Sequence, residues 1–330
     1  MIDYDPKNWA SVVVRFHGTI APRLVVRVGI AAGLGLVAAL LNTRGFKMSA
    51  TAHTLIGVAL GLLLVFRTNA SYERYWEGRK LLGVMITRSR DLARQVTSFP
   101  HSDLPCVQPA VADVCRYLSA FFKLGMQSLR GERDLAALGD LLTAEERSVL
   151  QPHAARAPMM TSLMSARIAE LARAGALEPH HVMVMDANIT ALQDAFGGCE
   201  RIVRTPVPFA YAQHIKLALL LFTATVPFAI ADTTRWLTPI ASAFIAYALI
   251  GIDEIGVEIE EPFGHDPNDL PIDKIAQAIA DGVEDISSAS VMARRLTAGG
   301  DSSVEVPTVM PKAKNVSHPE GAMAQEGARA

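Results

Sequence analysis

The sequence predicts an all-α membrane protein, with four transmembrane helices in each chain and a large cytoplasmic helical part. Three observations carry that prediction. Residues 24–66 and 214–258 hold most of the apolar excess of a 330-residue chain that is 50% hydrophobic and 19% charged, whereas ordinary soluble domains carry about 25% charge. Apolar residues recur at helical spacing through 70–130 and 160–204, as in Leu81, Leu82, Val84, Met85, Leu92 and Val96, with no alternating strand pattern. Basic residues gather on one side of the apolar segments.

The first span covers 24–42 and carries one charge, Arg27, near its start. The second covers 48–66, where His53 is the only ionisable group. A third runs over 217–231 between Lys216 and Asp232, and a fourth over 236–252, stopping at Asp253 and Glu254. Each is somewhat shorter than the roughly 20 residues of a typical span. "GIAAG" at 29–33 and "GVALG" at 57–61 place small residues four apart, which lets helix backbones approach closely, and Pro227 and Pro239 fall in the last two spans. Such segments are expected to pack against other protein. The competing reading, four buried core helices of a soluble protein, fits poorly with the short connections "TRGFK" and "DTTR", which make two hairpins.

An even number of spans puts both termini and residues 67–213 on one side. That side has Arg15, Arg23, Arg67, Arg74, Arg79, Lys80, Arg201 and Arg204 near the spans, against Arg44, Lys47 and Arg235 on the other. The bulk is therefore expected in the cytoplasm, below a multi-pass inner-membrane part. The polar N-terminus lacks an apolar signal core, so no cleaved export signal is expected. The organisation reads as a cytoplasmic segment 1–23, spans 24–66, a cytoplasmic helical domain 67–213, spans 214–258 and a C-terminal cytoplasmic segment 259–297. Breaks fall at "SFPHSDLP", "LRGER" and "ARAP", and the cytoplasmic helices are expected to continue the membrane ones. The tail 298–330 is rich in Gly, Pro, Ser and Ala without aromatics and is expected to be disordered.

Motifs of catalysis are missing from the sequence. It has no phosphate-cradling Gly loop, no Gly-x-Ser-x-Gly and no pair of His on one helix face. A net charge of −2 with scattered basic residues excludes a nucleic-acid stripe. Cys106, Cys115 and Cys199 lack metal or disulfide spacing and read as buried thiols. Adjacent His180 and His181 point about 100° apart on a helix and ligate one metal poorly. The acidic run Asp253, Glu254, Glu258, Glu260, Glu261 reads as the solvated end of a helix rather than a carboxylate metal site. "HDPNDLPID" at 265–273 clusters oxygen ligands but lacks the turn glycine and closing Glu of an EF-hand. Val58, Leu62 and Phe66 share one side of the second span. On pattern alone that stripe is core or lipid-facing; repeated around an axis it would make an apolar ring able to gate ions by dewetting.

Four stretches occur together in a familiar order: "RFHGTI", "LGLLLVFRTNASYERYWEGRKLLG", "RTPVPFAYAQH" and "EIEEPFGHDPNDLPID". In sequence and spacing they resemble the bacterial branch of the bestrophin family, over about residues 10–290. The resemblance implies a homopentameric ion channel with a hydrophobic neck in the membrane and an aperture at the cytosolic end of its pore. Matching "RYW" to the family's Arg-aromatic-aromatic triplet implies a neck at Val58, Leu62 and Phe66, where Val58 and Leu62 depart slightly from the usual Ile or Phe. Counting back from Pro208 implies an aperture at His180, or His181 after a one-residue slip, in place of an Ile or Val. Five imidazoles there would change charge near neutral pH and favour anions when protonated.

In animal relatives the stretch after "PFG" contributes to a calcium clasp, and Glu261, His265, Asp266, Asn268 and Asp269 occupy it here. His265, Pro267 and Asn268 interrupt the acidic run, which argues against calcium control, and no cofactor is expected. The resemblance gives segment 259–297 a structural role, packing on neighbouring subunits. The expected function is passage of small monovalent ions, with no enzyme activity. Partners are further copies of the chain and membrane lipid, with no nucleic acid. Anions are slightly favoured, on His180 and the polar Thr68 and Asn69 beside the neck, with a sodium-permeable channel as the alternative. Two other classes compete. A membrane carboxylate metalloenzyme needs Glu258, Glu261, Asp266 and His53 or His265 to converge; a scaffold conducts nothing.

Overall fold

The computed structural model describes residues 5, 7–14, 18–46, 48–101 and 104–297. Among them every regular element is a helix. The tail 298–330, Arg15 and Lys47 lie outside the described residues. A short α1 (Trp9–Val14) precedes α2 (Ala21–Thr43) and the 48-residue α3 (Thr51–Ser98). Then come α4 (Val107–Leu129), α5 (Ala144–Leu150), α6 (Arg156–Arg173), α7 (Pro179–Arg204), α8 (Phe209–Thr234), α9 (Thr238–Glu260) and α10 (Ile272–Thr297).

Among the described residues, three stretches are long and apolar enough to cross a membrane: α2, α3 and residues 209–260. The last is divided by a 3-10 turn at Arg235–Leu237, where Arg235 takes φ 49°, a strained value for a residue with a side chain. That turn reverses the chain. Thr234 and Thr238 hydroxyls meet at 2.8 Å at one end of the α8–α9 hairpin, and Lys216 Nζ reaches Asp253 Oδ2 at 3.4 Å at the other.

The same two levels recur across all four helices. At one level Asn42 donates to the Ala231 carbonyl (3.2 Å), and His53 Nε2 lies 3.0 Å from Thr225 Oγ1. At the other, Arg27, Arg67, Lys216, Asp253 and Glu254 form ion pairs. From Arg27 to Asn42, or from Thr51 to Arg67, a helix rises only about 22–24 Å. These uncharged stretches are thus shorter than a hydrocarbon core of about 30 Å.

Close approach occurs at a glycine that the sequence motifs did not single out. A Cβ on Gly35 would lie 2.7 Å from Pro239 Cα and 2.9 Å from the Thr238 carbonyl oxygen, so α2 and α9 touch backbone to backbone there. Gly29, Gly33 and Gly61 have nothing within 4 Å, and Gly57 meets only the Phe222 ring. The expected close approach at 29–33 does not occur; the contact of α2 falls two residues past that motif, at Gly35.

Beyond Arg67, α3 runs on without a break for another 31 residues to Ser98, so it belongs to both parts of the molecule. Its far half supplies Leu82, Met85, Leu92, Ala93 and Val96 to a core filled mainly by α4, α6 and α7. Phe121 packs edge-on against Phe122 and against Phe196 from α7, and Gly125 makes room for Phe196. The α5 start is a capping box between Thr143 and Glu146. Arg116 and Tyr117 also bond Glu146, and the Arg116 guanidinium holds its carboxyl down at about 2. Burial pushes the Cys115 thiol up to about 11 and Cys199 up to about 12, so neither is a thiolate at neutral pH. Only Cys199 is fully buried; Cys106 and Cys115 are partly so.

Candidate functional site

Val58, Leu62 and Phe66 lie on one exposed row of α3, at 71%, 57% and 57% exposure. Leu60, Leu64 and Arg67 on the opposite face are buried against α8 and α9. An apolar row left bare on a helix whose other side is packed needs a further cover, from lipid, a second chain or a narrow lumen. The row continues past Phe66 through the exposed Asn69 and Glu73. Thr68 turns its hydroxyl back to the Leu64 carbonyl.

Immediately after the row comes a set of buried charges. Arg67 is 2% exposed; its Nε sits 2.9 Å from Asp253 Oδ1, an ionic contact rather than an aligned hydrogen bond, and its Nη2 donates to Glu260 Oε2 at 3.4 Å. Asp253 is shared with Lys216, and Arg27 donates to Glu254 Oε2 at 2.8 Å. One helical stride further, Arg74 caps the end of α7 by donating to the Ile202 and Thr205 carbonyls, and bonds the Glu260 carbonyl as well. The acidic run is therefore no solvated helix end. Asp253 and Glu254 are buried inside α9, which continues through Glu260, because basic side chains of α2, α3 and α8 converge on them. Burying a charge without such partners would cost several kcal/mol.

His180 and His181 open α7, after Glu178 and Pro179. Their rings lie 4.1 Å apart by centroid but have different surroundings. His181 stacks on Phe99 at 4.4 Å, with its Nδ1 buried and unpartnered, whereas His180 is exposed. A one-residue slip in the aperture assignment would thus exchange an outward ring for one turned into the subunit.

The segment after α9 is bound into the fold by its own polar groups. Asn268 donates to the Gly18 carbonyl and to Glu258 Oε1 (2.6 Å), and Arg23 pairs with Glu258 and Asp266. His265 lies 2.9 Å from Glu132, and Arg130 grips Asp273 with two bonds. Glu261 is exposed. Asp269 accepts from the Asp266 amide at 2.7 Å, and burial pushes its carboxyl up to about 6. Among the described residues no three His, Cys, Asp or Glu side chains gather as metal ligands. Glu258, Glu261 and Asp266 do not converge with His53, which sits at the opposite level of the apolar helices beside Thr225.

The model of the bacterial and fungal bestrophin proteins matches residues 1–285 of the chain. This chain belongs to the bestrophin family. Among similar proteins is the voltage-dependent anion channel-forming protein sll1024 of Synechocystis, 32% identical over 85% of this chain and 92% of that protein. A similarly named protein of Ralstonia nicotianae is 33% identical over 84% of this chain and 92% of its own length. A crystal structure of a bacterial bestrophin homolog from Klebsiella pneumoniae superposes with a TM-score of 0.75 at 29% identity, covering 80% of this chain and 99% of that one. All-helical architecture is thus common to this bestrophin and its solved relative.

Sequence reasoning on this bestrophin missed the Arg67–Asp253 pair. A signal for it existed: Arg67 and Asp253 each sit at the edge of an apolar run, where an unpaired charge is costly. The sequence reads Asp253 as a solvated helix end and Arg67 as one of the cytoplasmic-side basic residues, because periodicity within one helix does not show which helix lies opposite.

Proposed function

We propose that this bestrophin is an ion channel of the bacterial inner membrane, assembled as a homopentamer, and that it favours anions. The bare apolar row of Val58, Leu62 and Phe66 carries the reading, because it lies on the helix whose opposite face is fully committed to its own subunit. Five such rows around an axis would make a narrow neck that water enters reluctantly and ions cross only when it wets. Helices α2, α3, α8 and α9 serve as the four spans, since all four run between the same two levels. The basic side of those levels and the helical domain beyond it are cytoplasmic. The names of the Synechocystis and Ralstonia relatives, voltage-dependent anion channel-forming proteins, support the sign of the ion.

His180 is the aperture residue in this reading, because its ring is the outward one of the pair. Its charge neighbours are His181 beside it and the exposed Glu178 at the helix start. The segment 261–269 is a strap that turns the chain after α9, and its carboxylates serve Arg23 and backbone groups rather than calcium. The chain carries no catalytic chemistry.

A bilayer recording of purified protein under a sodium chloride gradient tests this. Reversal near the chloride equilibrium potential supports the anion channel; reversal near the sodium value supports a cation channel of the same build. No current from the wild type or from a Leu62→Ala/Phe66→Ala variant refutes conduction and leaves a scaffold. Conductance or selectivity should change between pH 5 and 8, and His180→Ala should abolish the change. A pH response that survives in this variant removes His180 from the pathway.

A further inference from the structure

A cavity of about 300 Å³ opens between α2 and α8, with α9 behind it. Its lining is ordered by depth. Arg27, Lys216 and Asp253 lie at the charged level, whereas Leu34, Thr223, Ala224 and Ile250 lie further along the helices toward the opposite level. From Arg27 to Leu34 or from Lys216 to Ala224 the helices rise about 11–12 Å. The mouth is thus ionic and the interior almost wholly apolar.

The charges at the mouth are unequally exposed. Arg27 and Lys216 side chains are 50% and 51% exposed, whereas their partners Glu254 and Asp253 are 11% and 3% exposed. Asp253 is also held by Arg67 at 2.9 Å, which leaves Lys216 the looser of its two cations at 3.4 Å. Outward from the protein the mouth therefore presents two cationic heads, while the carboxylates face inward. Ile30 and Leu220, at 60% and 64% exposure, flank the opening with apolar surface.

We propose that this groove is a binding site for an anionic phospholipid of the inner leaflet. Its phosphate sits between Arg27 and Lys216, and one acyl chain lies along Ile30, Leu34, Leu220 and Ala224. Both the sign and the direction of the site argue for this occupant. An anionic head at the charged level with a chain running toward the opposite level is the orientation of a cytoplasmic-leaflet lipid, and basic residues at that boundary attract anionic headgroups. A soluble anion would leave the apolar depth empty, and a zwitterionic lipid would bring its own cationic group against Arg27 and Lys216. The inference rests on the reading that α2 and α8 lie in the membrane but not on the existence of a pore.

The test is native mass spectrometry of the purified full chain in micelles doped with phosphatidylglycerol or phosphatidylcholine. The wild type should retain phosphatidylglycerol in preference. Lys216→Gln should weaken that retention about fivefold, the effect of one basic residue near a membrane surface. Ala224→Phe fills the groove while leaving every charge in place, and should abolish retention of both lipids without lowering thermal stability in lipid-free detergent. Equal retention of the two lipids by the wild type, or unchanged retention in Ala224→Phe, overturns the proposal. So does an Ala224→Phe variant that changes oligomeric state but not lipid content, because the groove would then seat a second chain. Recovery of the protein without detergent in a soluble fraction would instead refute the membrane reading itself, so the two failures are distinguishable.

Discussion

Replacing Arg67 by Met removes the centre of the buried charge set while keeping an unbranched side chain of similar reach. Asp253, 3% exposed, then retains only Lys216, whose ammonium is half in solvent at 3.4 Å. Breaking a buried pair on one side costs about 3–5 kcal/mol. The residual Lys216 contact puts Arg67→Met near the lower end of that range. Asp253→Asn should cost more. It leaves a 2%-exposed guanidinium with Glu260 at 3.4 Å, and among the described residues Nη1 has no partner even in the wild type. The double variant Arg67→Met/Asp253→Leu removes both charges, and apolar replacement of a buried pair is often near neutral. Chemical unfolding in detergent, followed by fluorescence, measures all three. The two single losses together should exceed the double loss by several kcal/mol. Additive losses, or a single-variant loss below about 1 kcal/mol, would show that water reaches Arg67 and that the pair is not buried in the membrane protein.

Two further perturbations probe the packing and the strap. Gly35→Ala drives a methyl into the Pro239 and Thr238 backbone, which cannot yield as a side chain would, and should cost about 1–3 kcal/mol in thermal unfolding. Gly29→Ala on the same helix, with nothing within 4 Å, should not destabilise. Asp269 has a folded carboxyl near 6 against an ordinary value near 3.8, so the folded chain holds a proton that the unfolded chain releases across that window. Ionising it costs stability as pH rises through the window. Asp269→Asn, which can still accept from the Asp266 amide, should match the wild type below about pH 4 and exceed it in melting temperature above pH 6. A difference independent of pH would mean that the carboxyl does not titrate in this window.

The helices were legible because their signals are local. Apolar runs, Pro179 and Pro239 near helix starts, and the breaks at 99–106 and 130–133 each act within a turn or two of chain. The exposed row on α3 was legible for the same reason, since a spacing of four defines a face without knowledge of the neighbours. Partner identity was not legible. Asp253 looks like the end of a span because a charge in a sequence says nothing of a partner 186 positions away, Arg67. The glycine contacts failed in the same way: the motif at 29–33 satisfies the spacing rule, but the crossing point with α9 is set by where Pro239 starts that helix, opposite Gly35. The two imidazoles at 180 and 181 differ in their surroundings, because Phe99 at the end of another helix stacks on His181.

Burial of Arg67 also changes where an anion preference can originate. Had this guanidinium followed Phe66 into the proposed pathway, five permanent positive charges would stand at the inner end of the neck and selectivity would ignore pH. Instead it faces Asp253 and Glu260, and the next exposed positions of the row are Asn69, which is neutral, and Glu73, which opposes anions. The first group on that row below the neck to attract chloride by charge is Lys80, exposed seven residues past Glu73. Within the channel reading the preference must then come from groups further along, Lys80 on the same row and the exposed His180 at the assigned aperture. Two variants separate these origins. Arg67→Met should lose stability yet leave the reversal potential of the surviving channels where it was, while His180→Ala should keep stability and shift the reversal potential toward the sodium value at low pH. The opposite pattern would put Arg67 in the lumen and contradict its packing against α9.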